Sequence, residues 1–152
     1  MDRIIILGEE EELVDLANAI NTNYCNGGAD MSMYNDDKIA EKTVSDRLFL
    51  IGHAGPRGIG RYDFKDLTKE FGAHLKGAKT AVYLSGCSTL NEAKQIINSG
   101  FIPATLAKNV KEYTGHTVYG TPGVLVLTGR NALSVEVTVG SGYQPTDIFV
   151  PA

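Results

Sequence analysis

Apolar residues gather in three short blocks along the chain, and each block gives way to a glycine-containing turn. The blocks are Arg3 to Leu7 before Gly8, Arg47 to Ile51 before Gly52, and Thr80 to Leu84 before Ser85-Gly86. Short apolar runs bounded by turn signals predict strands buried on both faces. Between them the period changes. Leu13, Leu16, Ala17 and Ile20 recur at helical spacing over Glu10 to Ile20, behind an acidic first turn that suits the positive end of a helix dipole. Asp63 is a candidate N-cap for a second helix, in which Phe64, Leu67, Phe71 and Leu75 share a face and Gly77 marks the end.

The remaining chain reads less sharply. Cys25-Asn26-Gly27-Gly28 signals a turn, Met31 to Tyr34 a short strand, and Asn35-Asp36-Asp37 another turn. Ser88 to Ser99 predicts loop and helix, and Pro103 opens a helix through Tyr113 that Gly115 ends. Thr117 to Tyr119 starts a strand, which Gly120-Thr121-Pro122-Gly123 breaks. Val124 to Leu127 and Leu133 to Val139 form a hairpin around Gly129-Arg130-Asn131, expected to add antiparallel edge strands. Alternation of strand and helix predicts one domain over residues 1–152: a three-layer α-β-α sandwich with a mostly parallel central sheet and a C-terminal antiparallel hairpin.

Composition narrows the function. The 152 residues suit one domain with a substantial core, and hydrophobic content of 43% with 21% charged residues is ordinary for a folded chain. Net charge is −4, with no lysine-arginine stripe, so neither nucleic acid nor an anionic membrane is an expected partner. No apolar run approaches the roughly 20 residues that span a bilayer. The first apolar stretch is too short for a signal peptide, and Glu9 to Glu12 follow it directly. With two cysteines, Cys25 and Cys87, the chain fits a reducing compartment better than a disulfide framework. The expected location is cytoplasmic, or secreted without a cleavable signal.

Chemistry concentrates at two strand ends. His53 follows the block ending at Ile51, and Cys87 follows the block ending at Leu84. In an open parallel sheet, ligands bind beyond the carboxyl ends of the strands. The two residues are 34 positions apart, room for one crossover through the helix at Asp63 to Leu75, which would place their strands side by side or nearly so. A lone cysteine is ordinarily a small core hydrophobe and a lone histidine ordinarily structural. Their shared placement points instead to a thiol activated by a base. The N–H groups of Ala54 and Cys87 are the natural oxyanion donors, and Gly52, Gly55 and Gly86 allow close approach of a substrate backbone.

Other sites are weaker. The glycines at 52, 55, 58 and 60 lack the Lys-Ser/Thr of a phosphate-binding loop. The turn after the first strand is acidic, which opposes a dinucleotide. Ala93 stands where a cysteine phosphatase needs a basic residue. His74, expected on a helix surface, and His116, expected to be structural, have no ligand-spaced partners, so neither metal nor cofactor is expected. Cys25 reads as a loop thiol without a role.

Leu48 to Gly55 and Ala81 to Ser88 resemble the two diagnostic blocks of the caspase-like cysteine peptidases, which include caspases, legumains, clostripain-like enzymes, CHAT-domain proteases and toxin self-processing domains. The likeness runs over roughly residues 1–128. It implies a caspase-like fold with a His–Cys dyad: His53 as proton donor, Cys87 as nucleophile, and an oxyanion hole at the N–H groups of Ala54 and Cys87. It also implies a peptide or protein substrate cleaved after a defined P1 residue, in an enzyme acting alone or within a toxin, effector or defence system. Two departures stand out. The family usually has glycine directly after the histidine, where this chain has Ala54. It commonly has alanine before the cysteine, where this chain has Gly86. Gly55, Ser85, Asp30, Arg57 and Thr121 are candidate substrate-binding positions. Asp36 and Arg61 are further candidates for the P1 pocket, with Gly123 as part of its wall beside Thr121. The alternatives are a catalytically inactive caspase-like binding module and a flavodoxin-like ligand-binding domain. The oligomeric state is left open by the sequence.

Overall fold

The structure, a computed structural model, describes residues 1–42, 44–54, 58–86, 106–129, 131–136 and 147–152. Its centre is a six-stranded sheet. Strand β1 (Arg3–Ile6) has parallel neighbours on both sides, β2 (Asp30–Met33) and β3 (Ser45–Ile51). The short pair β4 (Gly58–Ile59) and β5 (Tyr62–Asp63) follows β3 as a separate antiparallel ribbon. Beyond β3 in the sheet lie β6 (Ala78–Ser85) and β7 (Thr117–Gly120), both parallel. The hairpin β8 (Val124–Thr128) and β9 (Ala132–Glu136) comes next in the chain. The sheet's last edge is β10 (Val150–Pro151), antiparallel to β7, so the order is β10-β7-β6-β3-β1-β2.

Three helices among the described residues cover the faces: α1 (Glu11–Cys25), α2 (Phe64–Gly77) and α3 (Leu106–Thr114). Strand alternation divides the core in two. Ile5, Leu48, Leu50, Val82 and Leu84 face α2 and α3, where they pack on Leu67, Phe71, Leu75, Leu106 and Val110. Ile4, Ile6, Phe49 and Ile51 face α1, where they pack on Leu13, Leu16, Ala17 and Ile20. Each helix therefore buries one apolar stripe, and the three-layer α-β-α sandwich follows from the pattern.

Several boundaries differ from the expectation. Helix α1 runs on through Asn21 to Cys25, because its last turn keeps polar side chains outward and Asn23 Nδ2 donates to the Ala19 carbonyl at 2.7 Å. It stops where Asn26 (φ 52°) and Gly27 (φ 76°) turn left-handed, and Gly27 N–H donates to the Asn21 carbonyl at 2.9 Å. The predicted hairpin is present but forms its own two-stranded sheet. Leu125, Leu133 and Val135 lay it over the α1 face of the core, and the antiparallel edge strand is β10 instead. The stretch predicted as loop and helix over residues 88–99 lies outside the described residues. Asp63 caps α2 as expected, its Oδ1 accepting from Asp66 N–H at 2.8 Å.

His74 overturns a prediction. It is buried on α2 rather than on the surface, because it lies one turn from Phe71 on the apolar face. Its Nδ1 has no partner among the described residues. Burial, and then the nearby positive charge of Arg3, hold its pKa below the ordinary 6.5 of histidine, opposed by a contact to the Lys42 backbone. The unfolded chain therefore binds this proton first. Stability is fully present above pH 6.5 and is lost as pH falls from 6.5 through the depressed folded-state value. The melting temperature of the wild-type protein should drop between pH 7 and pH 5 more steeply than that of His74→Gln. Equal slopes in the two proteins would refute this role for His74.

Candidate active site

Strands β3 and β6 end at one rim, with His53 just beyond β3 and Gly86 just beyond β6. They pair directly, with Ile51 opposite Ser85, and Gly52 N–H extends the ladder by donating to the Ser85 carbonyl at 3.2 Å. The same end of the sheet carries Leu7 and Gly8 beyond β1: Leu7 N–H donates to the Ile51 carbonyl at 2.7 Å. His53 emerges here, its side chain 54% exposed. Cys87, Gly55 and Arg57 lie outside the described residues, and the described chain reaches Gly86, one residue before Cys87.

The turn that holds His53 is tied down on both sides. Gly60 N–H donates to the His53 carbonyl at 2.5 Å, and Ala54 bridges Ile59. In an antiparallel ladder that bond makes Ala54 and Ile59 a non-hydrogen-bonded pair, so the bridge does not consume the Ala54 N–H. On the facing strand, Gly86 is packed against this turn. A Cβ on Gly86 would strike the Gly52 carbonyl oxygen and come within 2.8 Å of Ala54 Cβ and 3.4 Å of Ala54 N. The residue must be glycine for the two strand ends to approach this closely.

One partner of His53 was missed by the sequence reading. Glu12, in the first turn of α1, places Oε1 2.7 Å from His53 Nε2. The acidic first turn was legible only as a helix-dipole feature. What it could not show is that α1 starts directly above the rim on which His53 stands.

The candidate substrate positions fare unevenly. Asp30 is at the wrong end of the sheet: it pairs with Arg3, the first residue of β1, and its carboxylate meets Arg3 Nη1 at 3.1 Å and Lys42 Nζ at 3.5 Å. A residue that opens a parallel strand lies opposite the rim where strands finish. Ser85 lies on the last rung of β6 but is fully buried, with no partner for Oγ among the described residues, so it supports the rim from beneath. Thr121 is also fully buried, and its Oγ1 donates to the Gly86 carbonyl. It braces Gly86 instead of forming an open pocket wall. Asp36 spends a carboxylate oxygen on its own turn, accepting from Lys38 N–H at 2.9 Å. Arg61 does reach the rim, stacked over the Tyr34 ring at 5.3 Å.

Two clefts flank His53. One, about 580 Å³, is lined by Leu7, Gly8, Glu9, Glu10, Tyr34 and Arg61. It lies beyond β1 and β3, where the strand order reverses, the crevice in which open α/β sheets bind ligands. The other, about 420 Å³, runs between Glu12, Leu13 and Leu16 of α1 and Leu125 to Leu127 of β8, with Gly52 and Gly86 at its base. No family model matches the chain, and no curated protein does. A solved structure similar to it is the two-electron reduced flavodoxin of Megasphaera elsdenii in solution, at 15% identity and TM-score 0.49, covering 79% of this chain and 82% of that one.

Cys25 is the cysteine among the described residues. It sits half-buried at the end of α1, where burial and the nearby Asp2 carboxylate push its thiol up to about 11. Asp2 itself is engaged by Arg47, whose Nη2 and Nε reach its two oxygens at 2.6 and 3.0 Å. Cys25 is therefore protonated, and a poor nucleophile, near neutral pH.

Proposed function

We propose that this chain is a cysteine endopeptidase in which Cys87 is the nucleophile and His53 the proton carrier. The observation that carries the reading is the parallel pairing of β3 with β6, which brings His53 and the residue before Cys87 to one rim with Gly86 pressed against the His53 turn. In the proposed reaction the Cys87 thiol gives its proton to His53 and attacks the scissile carbonyl. A C–S bond forms, and the carbonyl oxygen takes negative charge against the N–H groups of Ala54 and Cys87. The C–N bond then breaks, and His53 returns the proton to the departing amine. Water attacks the thioester with His53 accepting one of its protons, and the new carboxyl product leaves as the thiol is restored.

Thiol labelling tests this directly. Iodoacetamide near neutral pH should alkylate Cys87 faster than an ordinary thiol and leave Cys25 largely unmodified in the folded protein. His53→Ala should slow Cys87 labelling by about 10²-fold, the lower end of a general base's contribution. A peptide library should be cleaved by wild type and not by Cys87→Ala. A folded protein whose Cys87 resists alkylation would sink the proposal. Fast labelling with no cleavage of any library member would favour the inactive binding module.

A flavodoxin-like ligand binder is a second reading, favoured by the cleft at the strand-order reversal. The residues there oppose it. Glu9, Glu10, Glu11 and Glu12 succeed one another where such a fold would present backbone N–H groups to a phosphate. Titration with flavin mononucleotide should therefore leave flavin fluorescence unquenched.

A further inference from the structure

The contact between His53 and Glu12 has no evident structural purpose. Both side chains are largely exposed, at 54% and 67%, and an ion pair of that exposure adds little to folding. Yet the helix turn that carries Glu12 is anchored to the core. Leu13 and Leu16, the next apolar positions of α1, are buried against the core and fix the first turn over the rim. The surrounding charged and titratable groups are Glu9 and Glu10 from the loop after β1, Arg61 from the turn between β4 and β5, and Tyr34 after β2. Arg61 is stacked on Tyr34, and Glu9 accepts from Asn35 Nδ2 at 3.2 Å, so both have partners of their own. At 2.7 Å from Nε2, Glu12 is the carboxylate that engages the imidazole.

We propose that Glu12 is the positioning residue of His53, a role that rests on the peptidase reading above. The two ring nitrogens are distinct, and the bond made by one decides what the other can do. With Nε2–H donating to Glu12, Nδ1 is the nitrogen left to exchange a proton with the thiol. The same bond fixes the orientation of the ring, so that Nδ1 is held ready for that exchange. Glu12 touches neither substrate nor thiol in this scheme and acts only through His53.

Two readouts test it, each with Glu11→Ala as control, since Glu11 is an exposed acid of the same helix turn. The first is the ¹⁵N resonance of His53 Nε2, which Glu12→Gln should displace and Glu11→Ala should not. An Nε2 resonance unmoved by Glu12→Gln overturns the positioning role, whatever the thiol does. The second is the pH dependence of Cys87 alkylation. Glu12→Ala should slow it on the order of tenfold at pH 6, the scale of one hydrogen bond to a charged group. Rates should converge with wild type near pH 9, where a thiol ionises unaided. Fast wild-type labelling with no loss in Glu12→Ala at pH 6 also overturns the proposal. Slow wild-type labelling, by contrast, defeats the peptidase reading while the Nε2 resonance still decides the contact.

Discussion

Phe49→Ala is expected to remove about 3–5 kcal/mol of folding stability, the usual cost of emptying a buried phenylalanine site. Phe49 is fully buried in the middle of β3, between β1 and β6. Its ring stacks on Tyr83 at 4.4 Å, and Tyr83 stacks on Tyr119 at 4.6 Å, so one aromatic ladder ties β3, β6 and β7 together. Phe149 closes on Phe49 and Tyr83 edge-on at 6.1 and 5.0 Å, and the Arg47 guanidinium lies 5.5 Å from the Phe49 centroid. Each aromatic pair adds about 0.5–1.5 kcal/mol beyond area burial. Domains of this kind have about 5–15 kcal/mol in all, so the variant should be close to unfolding at 37 °C. Urea denaturation would show the midpoint collapse. A loss under about 1 kcal/mol would mean that the ladder repacks around the gap and that the strand carrying His53 is not held by it.

What the sequence could reveal depended on whether hydrophobicity or pairing decides an element. β1, β3 and β6 are central strands buried on both faces, so their apolar runs are sufficient signals. The Asp63 cap and the spacing from Leu67 to Leu75 likewise specify α2 locally. β2 is intermediate: Met31 to Tyr34 reads as a short strand, but its start at Asp30 and its place beside β1 come from the parallel pairing. β10 is two residues whose identity comes from pairing with β7 alone. The misplacement of His74 came from reading a polar side chain as a surface one, although its position relative to Phe71 already put it on the buried face. At the site, the rim and His53 were legible because parallel strands end where their apolar runs end. Asp30 was misassigned because nearness to a turn does not say which end of the strand that turn precedes. Glu12 was invisible because its partner is 41 residues away and reached only through the packing of α1 on β3.

Gly86→Ala should cost about 1–3 kcal/mol and slow alkylation of Cys87, since the added methyl meets a packed wall that cannot simply recede. One neighbour is the Gly52 carbonyl oxygen, fixed because its residue's N–H is bonded to Ser85. The other is Ala54 Cβ, 2.8 Å from where the new Cβ would stand. Displacing Gly86 would also disturb the Thr121 hydroxyl that donates to its carbonyl. This geometry joins the two departures from the caspase-like pattern into one. Where the resemblance implies glycine after the histidine and alanine before the cysteine, this chain carries the methyl on Ala54 and leaves it off Gly86. The two methyls compete for the same gap between the strand ends, so the substitutions should couple. Ala54→Gly placed beside Gly86→Ala should recover part of the lost stability and of the labelling rate, with a coupling of about 0.5–3 kcal/mol in a double-mutant cycle. Recovery should stay incomplete, because the contact with the Gly52 oxygen survives the exchange. If Gly86→Ala costs the same in both backgrounds, the two positions are independent and the exchange of methyls is not what shapes the rim.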